Sequence, residues 1–206
     1  MAETDRFLAQ ADETLEEHVV VAADPARTYG AIGRTDISSD RFVGLFGGLG
    51  DAGVRMSGGT PQPRTLDRLL AADVGPVELA AEPGTRRVIG VAGRYNAVEK
   101  SVTKLSADEF AAFAEPGCLK AVVEFTLTPQ GSGQTVLAGE LRVRATDDDM
   151  RSTLDNTWFV ARFGLGMAMR RLLAAIKAEA EGSGPQAAEH GDADSDHGNA
   201  GDLRPA

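Results

Sequence analysis

The chain has 206 residues, 42% of them apolar, enough for one substantial core and a tail. Its formal net charge of −10 argues against nucleic acid or an anionic membrane surface as the main partner. A single cysteine, Cys118, excludes an internal disulfide framework, the N-terminus is too polar for a signal peptide, and no apolar run approaches the roughly 20 residues that span a bilayer, so a cytoplasmic protein is expected.

In chain order, residues 1–13 read as a flexible arm, and the first strand falls around Thr14–Ala22. Asp24 stands where a side-chain oxygen can cap free helix amides, and Pro25 gives up an amide that would lack a partner. The helix that follows is expected to reach Ile32, with Gly33 as terminator. Residues 34–62 resist assignment. Arg41-Phe-Val-Gly-Leu-Phe46 is apolar, but Gly44, Gly47, Gly48, Gly50, Gly53, Gly58 and Gly59 weaken helix and strand alike, leaving an irregular segment with a short helix. Two hairpins are expected next. Leu66–Ala72 and Val77–Ala81 are interrupted by Gly75-Pro76, then Glu82-Pro-Gly-Thr85 turns into a strand over Arg86–Tyr95. Ser106-Ala-Asp-Glu109 is a capping box opening a short helix to Ala114, stopped by Pro116-Gly117.

The clearest strand is Lys120–Leu127, where Ala121, Val123, Phe125 and Leu127 share one face and Lys120, Glu124 and Thr126 the other. Thr135–Arg144 alternates likewise, Leu137, Gly139, Leu141 and Val143 against Glu140, Arg142 and Arg144, and Pro129-Gln-Gly-Ser-Gly133 joins the pair. One covered and one wet face are expected. On the wet face Glu140 and Arg142, with Arg94, Glu99 and Arg144 as neighbours, read as an ion-pair ladder.

The last element is one helix over Thr146–Glu181, opened by Thr146-Asp-Asp-Asp149, with the apolar stripe Met150, Leu154, Trp158, Ala161, Leu165, Met169, Leu172, Ile176 and Ala180. Gly164 and Gly166 interrupt its middle at about 1 kcal/mol each against Ala, which implies a bend or a close approach. Residues 183–206 carry little that is apolar and read as a disordered acidic tail after a domain over 14–182.

Gly48-Leu-Gly-Asp-Ala-Gly53 fits a dinucleotide-binding pattern, but Ser57-Gly-Gly-Thr-Pro-Gln-Pro63 leaves no room for the helix a pyrophosphate needs, and no cofactor is expected. His18 lies beside Glu16 and Glu17, where a strand-surface role is simpler than catalysis. Cys118 has no visible base or thiol partner and reads as core filler. His190 and His197, with Asp192, Asp194 and Asp196, could loosely hold a metal; a mobile acidic tail is the simpler reading, and no metal site is assigned.

The order of strand, helix, strand meander and long final helix resembles the helix-grip fold of the START-like (SRPBCC) superfamily. That fold is α+β, a curved antiparallel sheet wrapped around a C-terminal helix. Glu109-Phe-Ala-Ala-Phe-Ala-Glu-Pro-Gly117, Glu140-Leu-Arg-Val-Arg-Ala-Thr-Asp147, and Trp158 followed by Arg170-Arg-Leu-Leu-Ala-Ala-Ile176 resemble a mostly actinobacterial branch, across residues 14–181. These motifs point to a family and not to a reaction.

The resemblance implies binding or carriage of a small hydrophobic molecule between sheet and helix. A polyketide cyclase- or aromatase-like enzyme is the alternative and needs inward polar residues; a protein-partner-binding module with no pocket is the second. Parity places Val123, Phe125, Leu137 and Leu141 on the pocket wall, closed by Trp158 and Met169, with Leu165 on the same helix stripe. Gly139, Gly164 and Gly166 remove side chains on the facing elements, where curved sheets of this superfamily usually leave a void. It also implies a charged group reaching inward, for which Arg94 and Tyr95 are the candidates. Relatives carry an aromatic residue before the tryptophan; Thr157 here implies an altered pocket wall.

Overall fold

The computed structural model describes residues 4–37, 65–73, 75–95, 100–102 and 104–182, with backbone alone at 4–5, 95 and 100–102. Helices α1 (Thr4–Leu8) and α2 (Pro25–Arg34) flank strand β1 (Glu13–Val21), and α3 (Leu66–Leu70) precedes β2 (Val77–Glu82), β3 (Arg86–Tyr95) and β4 (Lys100–Val102). Helix α4 (Ala107–Ala112), the long strands β5 (Cys118–Gln130) and β6 (Gln134–Ala145), and helix α5 (Asp148–Ala180) complete the described elements.

All strand pairings are antiparallel, in the order β1-β6-β5-β3-β2, with β4 on the far end of β3. Register follows the side-chain pattern: Val123 lies opposite Leu141 and Ile89, and Phe125 opposite Gly139 and Arg87. The 33 residues of α5 extend about 50 Å along the inner face, chiefly over β1 and β6. Helix α2 packs beside it and also reaches β5 and β6. This is the helix-grip arrangement, an antiparallel sheet closed by a long C-terminal helix.

Local chemistry sets the element ends. The Asp24 carboxylate accepts from the Arg27 amide at 2.9 Å, with Pro25 at the first helical position. Ser106 and Glu109 cap each other's amides at 3.3 and 2.7 Å. Helix α5 is capped by Asp147, which accepts from Met150 at 2.7 Å, and not by Thr146. The Thr146 hydroxyl instead ties to the Cys118 backbone, accepting from its amide at 3.0 Å and donating to its carbonyl at 2.9 Å.

Several expectations are revised. Leu66–Ala72 is no hairpin strand: Leu66, Leu69 and Leu70 are three and four apart, and Thr65 caps the helix they form. Helix α2 runs through Gly33 to Arg34 instead of stopping there, and the absence of a side chain at Gly33 lets the Asp67 carboxylate lie against the helix backbone. The arm docks, since Phe7 and Leu8 are buried with Phe110, Val88, Ala92 and Val122. The sheet's outer face is therefore covered at that end by α1 and α4. Of the expected ladder it carries Arg142 on Glu140 at 2.8 Å, with Arg86 on Glu124 at 3.5 Å beside it, while Arg94 and Arg144 make no ion pair among the described residues.

Candidate functional site

The space between sheet and helices is built by strand parity and the α5 stripe. Val123, Phe125, Leu137 and Leu141 are buried on the inner face, and Trp158 and Met169 are buried against them in one apolar cluster, with Leu165 half-buried at its margin. The structure thus assembles these seven residues. It does not leave the void at Gly139: a side chain there would come 2.8 Å from Met169 Sδ and 3.3 Å from Leu173, so methionine already fills the place. Gly166 is buried against Leu15, while Gly164 faces open space.

An unfilled volume does exist one step further along the helix. A cavity of about 20 Å³ is lined by Ile32, Ile37, Leu66, Ile89, Val123, Phe125, Leu172 and Ile176. Only Val123 and Phe125 of the expected wall residues reach it. Among the described residues every lining side chain is hydrocarbon. Ile37 and Leu66 are each adjacent in sequence to a residue of the Asp36–Thr65 bridge.

Arg94 does not face this space. It shares parity with Ala92 and Val88, whose side chains belong to the outer cluster, and its own side chain is exposed. Tyr95 is described by its backbone alone. Thr157 is exposed and donates to Thr153 O at 2.8 Å, so it forms no part of the inner wall.

The charge that reaches inward is Arg87, 8% exposed and opposite Phe125. Its Nε donates to Glu78 at 2.7 Å and its terminal nitrogen to Asp67 at 2.7 Å. Burial works against its charge, but these two carboxylates hold the pKa above the usual arginine value. Tyr29 is pushed up by burial, then by Glu78 and Asp67, against the pull of Arg87. The signal for an inward arginine was present in the sequence. Arg86 and Arg87 are consecutive in a strand, so one of them must point to each face.

The other candidates are plainer. His18 is exposed on the β1 face turned away from α5. Cys118 is buried, and burial followed by Glu115 pushes its thiol pKa up, the reverse of what a nucleophile needs. The Gly48–Gly53 pattern, Glu99, and the tail histidines and aspartates lie outside the described residues. Among the described residues no three His, Cys, Asp or Glu side chains converge as metal ligands.

A second surface feature lies at the sheet edge. An open groove of about 470 Å³ runs between β1 and α5, lined by Leu15, Glu16, Glu17, Arg162, Phe163 and Arg170 among others. Phe159, Val160, Phe163 and Met167 are exposed on this stretch of α5, with the two phenylalanine rings edge-to-face at 5.7 Å.

No family model matches the chain, and no curated protein matches it. Among solved structures it is similar to a protein from Mesorhizobium loti, at 16% identity and TM-score 0.42, over 84% of this chain and 99% of that one. It is similar to a Polyketide_cyc-like protein from Corynebacterium glutamicum, at 15% identity and TM-score 0.41, over 90% and 100%. A third likeness, to a protein from Arthrobacter aurescens, has 11% identity and TM-score 0.40, over 88% and 93%. The fold assignment rests on the sheet order and the placement of α5 rather than on these likenesses.

Proposed function

We propose that the chain binds a small hydrophobic molecule on the inner face of its sheet, entering at the cavity bounded by α2, α3, α5 and strands β3 and β5. The observation that supports this is an apolar hollow that the described residues leave between the sheet and the helices. Well-packed interiors leave few such voids, and each forfeits dispersion contacts along its lining. At about 20 Å³ the empty space is smaller than any lipid, so binding requires the rim at Ile37 and Leu66 to move apart.

A binding role is favoured over a catalytic one by the lining. General acid–base chemistry needs a titratable group within hydrogen-bond reach of the ligand, and among the described residues the cavity wall carries none. Arg87, the buried arginine on the inner face, has donors committed to Glu78 and Asp67. Native mass spectrometry of the freshly purified chain tests the reading. An apolar molecule retained at one per chain supports it, and its absence from protein prepared both with and without added lipid extract counts against it.

A second reading, association with another protein, is favoured by the exposed apolar face of α5 beside an edge strand. The occupant that fits is a second copy. Arg170 pairs with Glu17 at 2.7 Å within the chain, so the contact would rest on the exposed Phe159, Val160, Phe163 and Met167 of each copy meeting across a two-fold axis. Light scattering on the full chain should then give a dimer that Phe163→Glu dissociates. A monomer at every concentration up to about 100 μM, well above the micromolar range of weak association, ends this reading.

A further inference from the structure

The outer face of the sheet holds a second cluster, remote from the cavity. Lys120 of β5 lies directly opposite Arg144 of β6, two cations in a cross-strand position that favours opposite charges. Lys120 is only 7% exposed. Its ammonium has three donors; one goes to Ala111 O at 3.2 Å, and the Phe110 ring centroid lies 4.8 Å away. Among the described residues neither Lys120 nor Arg144 makes an ion pair with a carboxylate. Burial, and then Arg144, lower the lysine pKa.

These two cations line a groove of about 360 Å³ where α1 and α4 meet the ends of β5 and β6. Arg6 and Arg151 stand at the same groove, and among the described residues no acidic side chain contributes to its lining. Both of these have acids of their own, Asp108 at 2.8 Å for Arg6 and Asp12 at 3.0 Å for Arg151. The unmatched positive charge therefore belongs to Lys120 and Arg144, in a chain whose net charge is −10. Apolar surface from Phe7 and Phe113 completes the wall. A methionine in place of Lys120 would pack against Phe110 without the desolvation cost of a buried ammonium. An anion bound in the groove offsets that cost and the repulsion together.

We infer that this groove is a binding site for a small oxyanion, a carboxylate or phosphate group held between Lys120 and Arg144, with any short hydrocarbon body lying on Phe7 and Phe113. Arginine supplies a planar fork that fits either oxyanion through two donors, and lysine supplies a compact charge from below. This site stands independently of the inner cavity, because the two lie on opposite faces of the sheet.

The test is an amide NMR titration of the full chain with sodium phosphate and, separately, sodium butyrate, at constant ionic strength set with chloride. Saturable shifts are expected at Ala111–Ala114, Lys120 and Ala145–Thr146. The tighter of the two probes tells whether the natural ligand is a phosphate or a carboxylate. Lys120→Met and Arg144→Gln, each checked for a folded amide spectrum, should weaken binding at least about tenfold, the loss of one charge-assisted contact. Linear, non-saturating shifts with both probes, shifts reproduced by chloride alone, or unchanged affinity in both variants would overturn the assignment.

Discussion

Gly139 carries the most informative contact in the interior. Sequence parity puts it on the inner face, and the absence of a side chain there admits either a void or a close neighbour. The neighbour is Met169, a flexible thioether suited to filling irregular gaps. Gly139→Leu should therefore overpack the core and cost about 1–3 kcal/mol, a thermal midpoint lower by several degrees in a domain of this size. Met169→Ala should cost about 2–5 kcal/mol, whereas Phe163→Ala, 64% exposed on the same helix, should leave the midpoint nearly unchanged. Equal losses at 163 and 169 would show that the helix is rotated from the face assigned to it.

Arg87 gives a second residue-scale expectation. Arg87→Ala strands Glu78 and Asp67, whose side chains are 39% and 56% exposed, so the cost should be about 1–3 kcal/mol, below the 3–5 of a fully buried pair. Urea unfolding of the variant checks it.

At the scale of elements, α5 is held at both ends. Asp147 accepts from Met150 and also from the Gly117 amide, and these backbone bonds lower its pKa below the ordinary 3.8. A lowered carboxylate contributes stability that is complete above the ordinary value and is lost as pH falls through the folded value. The midpoint of Asp147→Asn should thus fall less steeply than that of the native chain as pH drops below about 4; parallel curves would remove Asp147 from the cap. At the other end Lys177 donates to Val20 O at 2.7 Å, tying the helix to β1, and Leu172 is buried on the cavity wall. Leu172→Ala should cost about 2–5 kcal/mol and Lys177→Ala well under 1.

What sequence could reveal was decided element by element. The β5–β6 hairpin and α5 were legible because each follows a single period over many residues. The segment Leu66–Leu70 was not, since its three leucines have helical spacing but five residues span too little chain for a period to stand out, and the Thr65 cap is its main further signal. The wall at Val123 and Phe125 followed from parity, but the position of the cavity did not. It depends on whether a long side chain such as Met169 reaches into the space a glycine leaves. Arg87 was less legible than Arg94 because alternation puts one of Arg86 and Arg87 on each face without saying which face is inward.

Over the whole molecule, the sheet divides two chemistries. Its inner face meets α2, α3 and α5 across hydrocarbon, and its outer face meets α1 and α4 around Phe110 and a run of cations. Residues 183–206 add almost no apolar side chains, so a chain ending at Gly182 should keep its melting temperature within about 2 °C. Removing residues 1–12, which takes Phe7 and Leu8 from the outer cluster, should cost several degrees in the same scan. The central claim, that the inner cavity receives an apolar ligand, is tested most directly by titrating a hydrophobic fluorescent probe into three proteins: the native chain, Leu172→Ala with the cavity enlarged, and Leu66→Trp with it filled. Saturable binding that tightens in Leu172→Ala and disappears in a folded Leu66→Trp is the expected result. Equal affinity in all three, or no saturable binding in any, would contradict it.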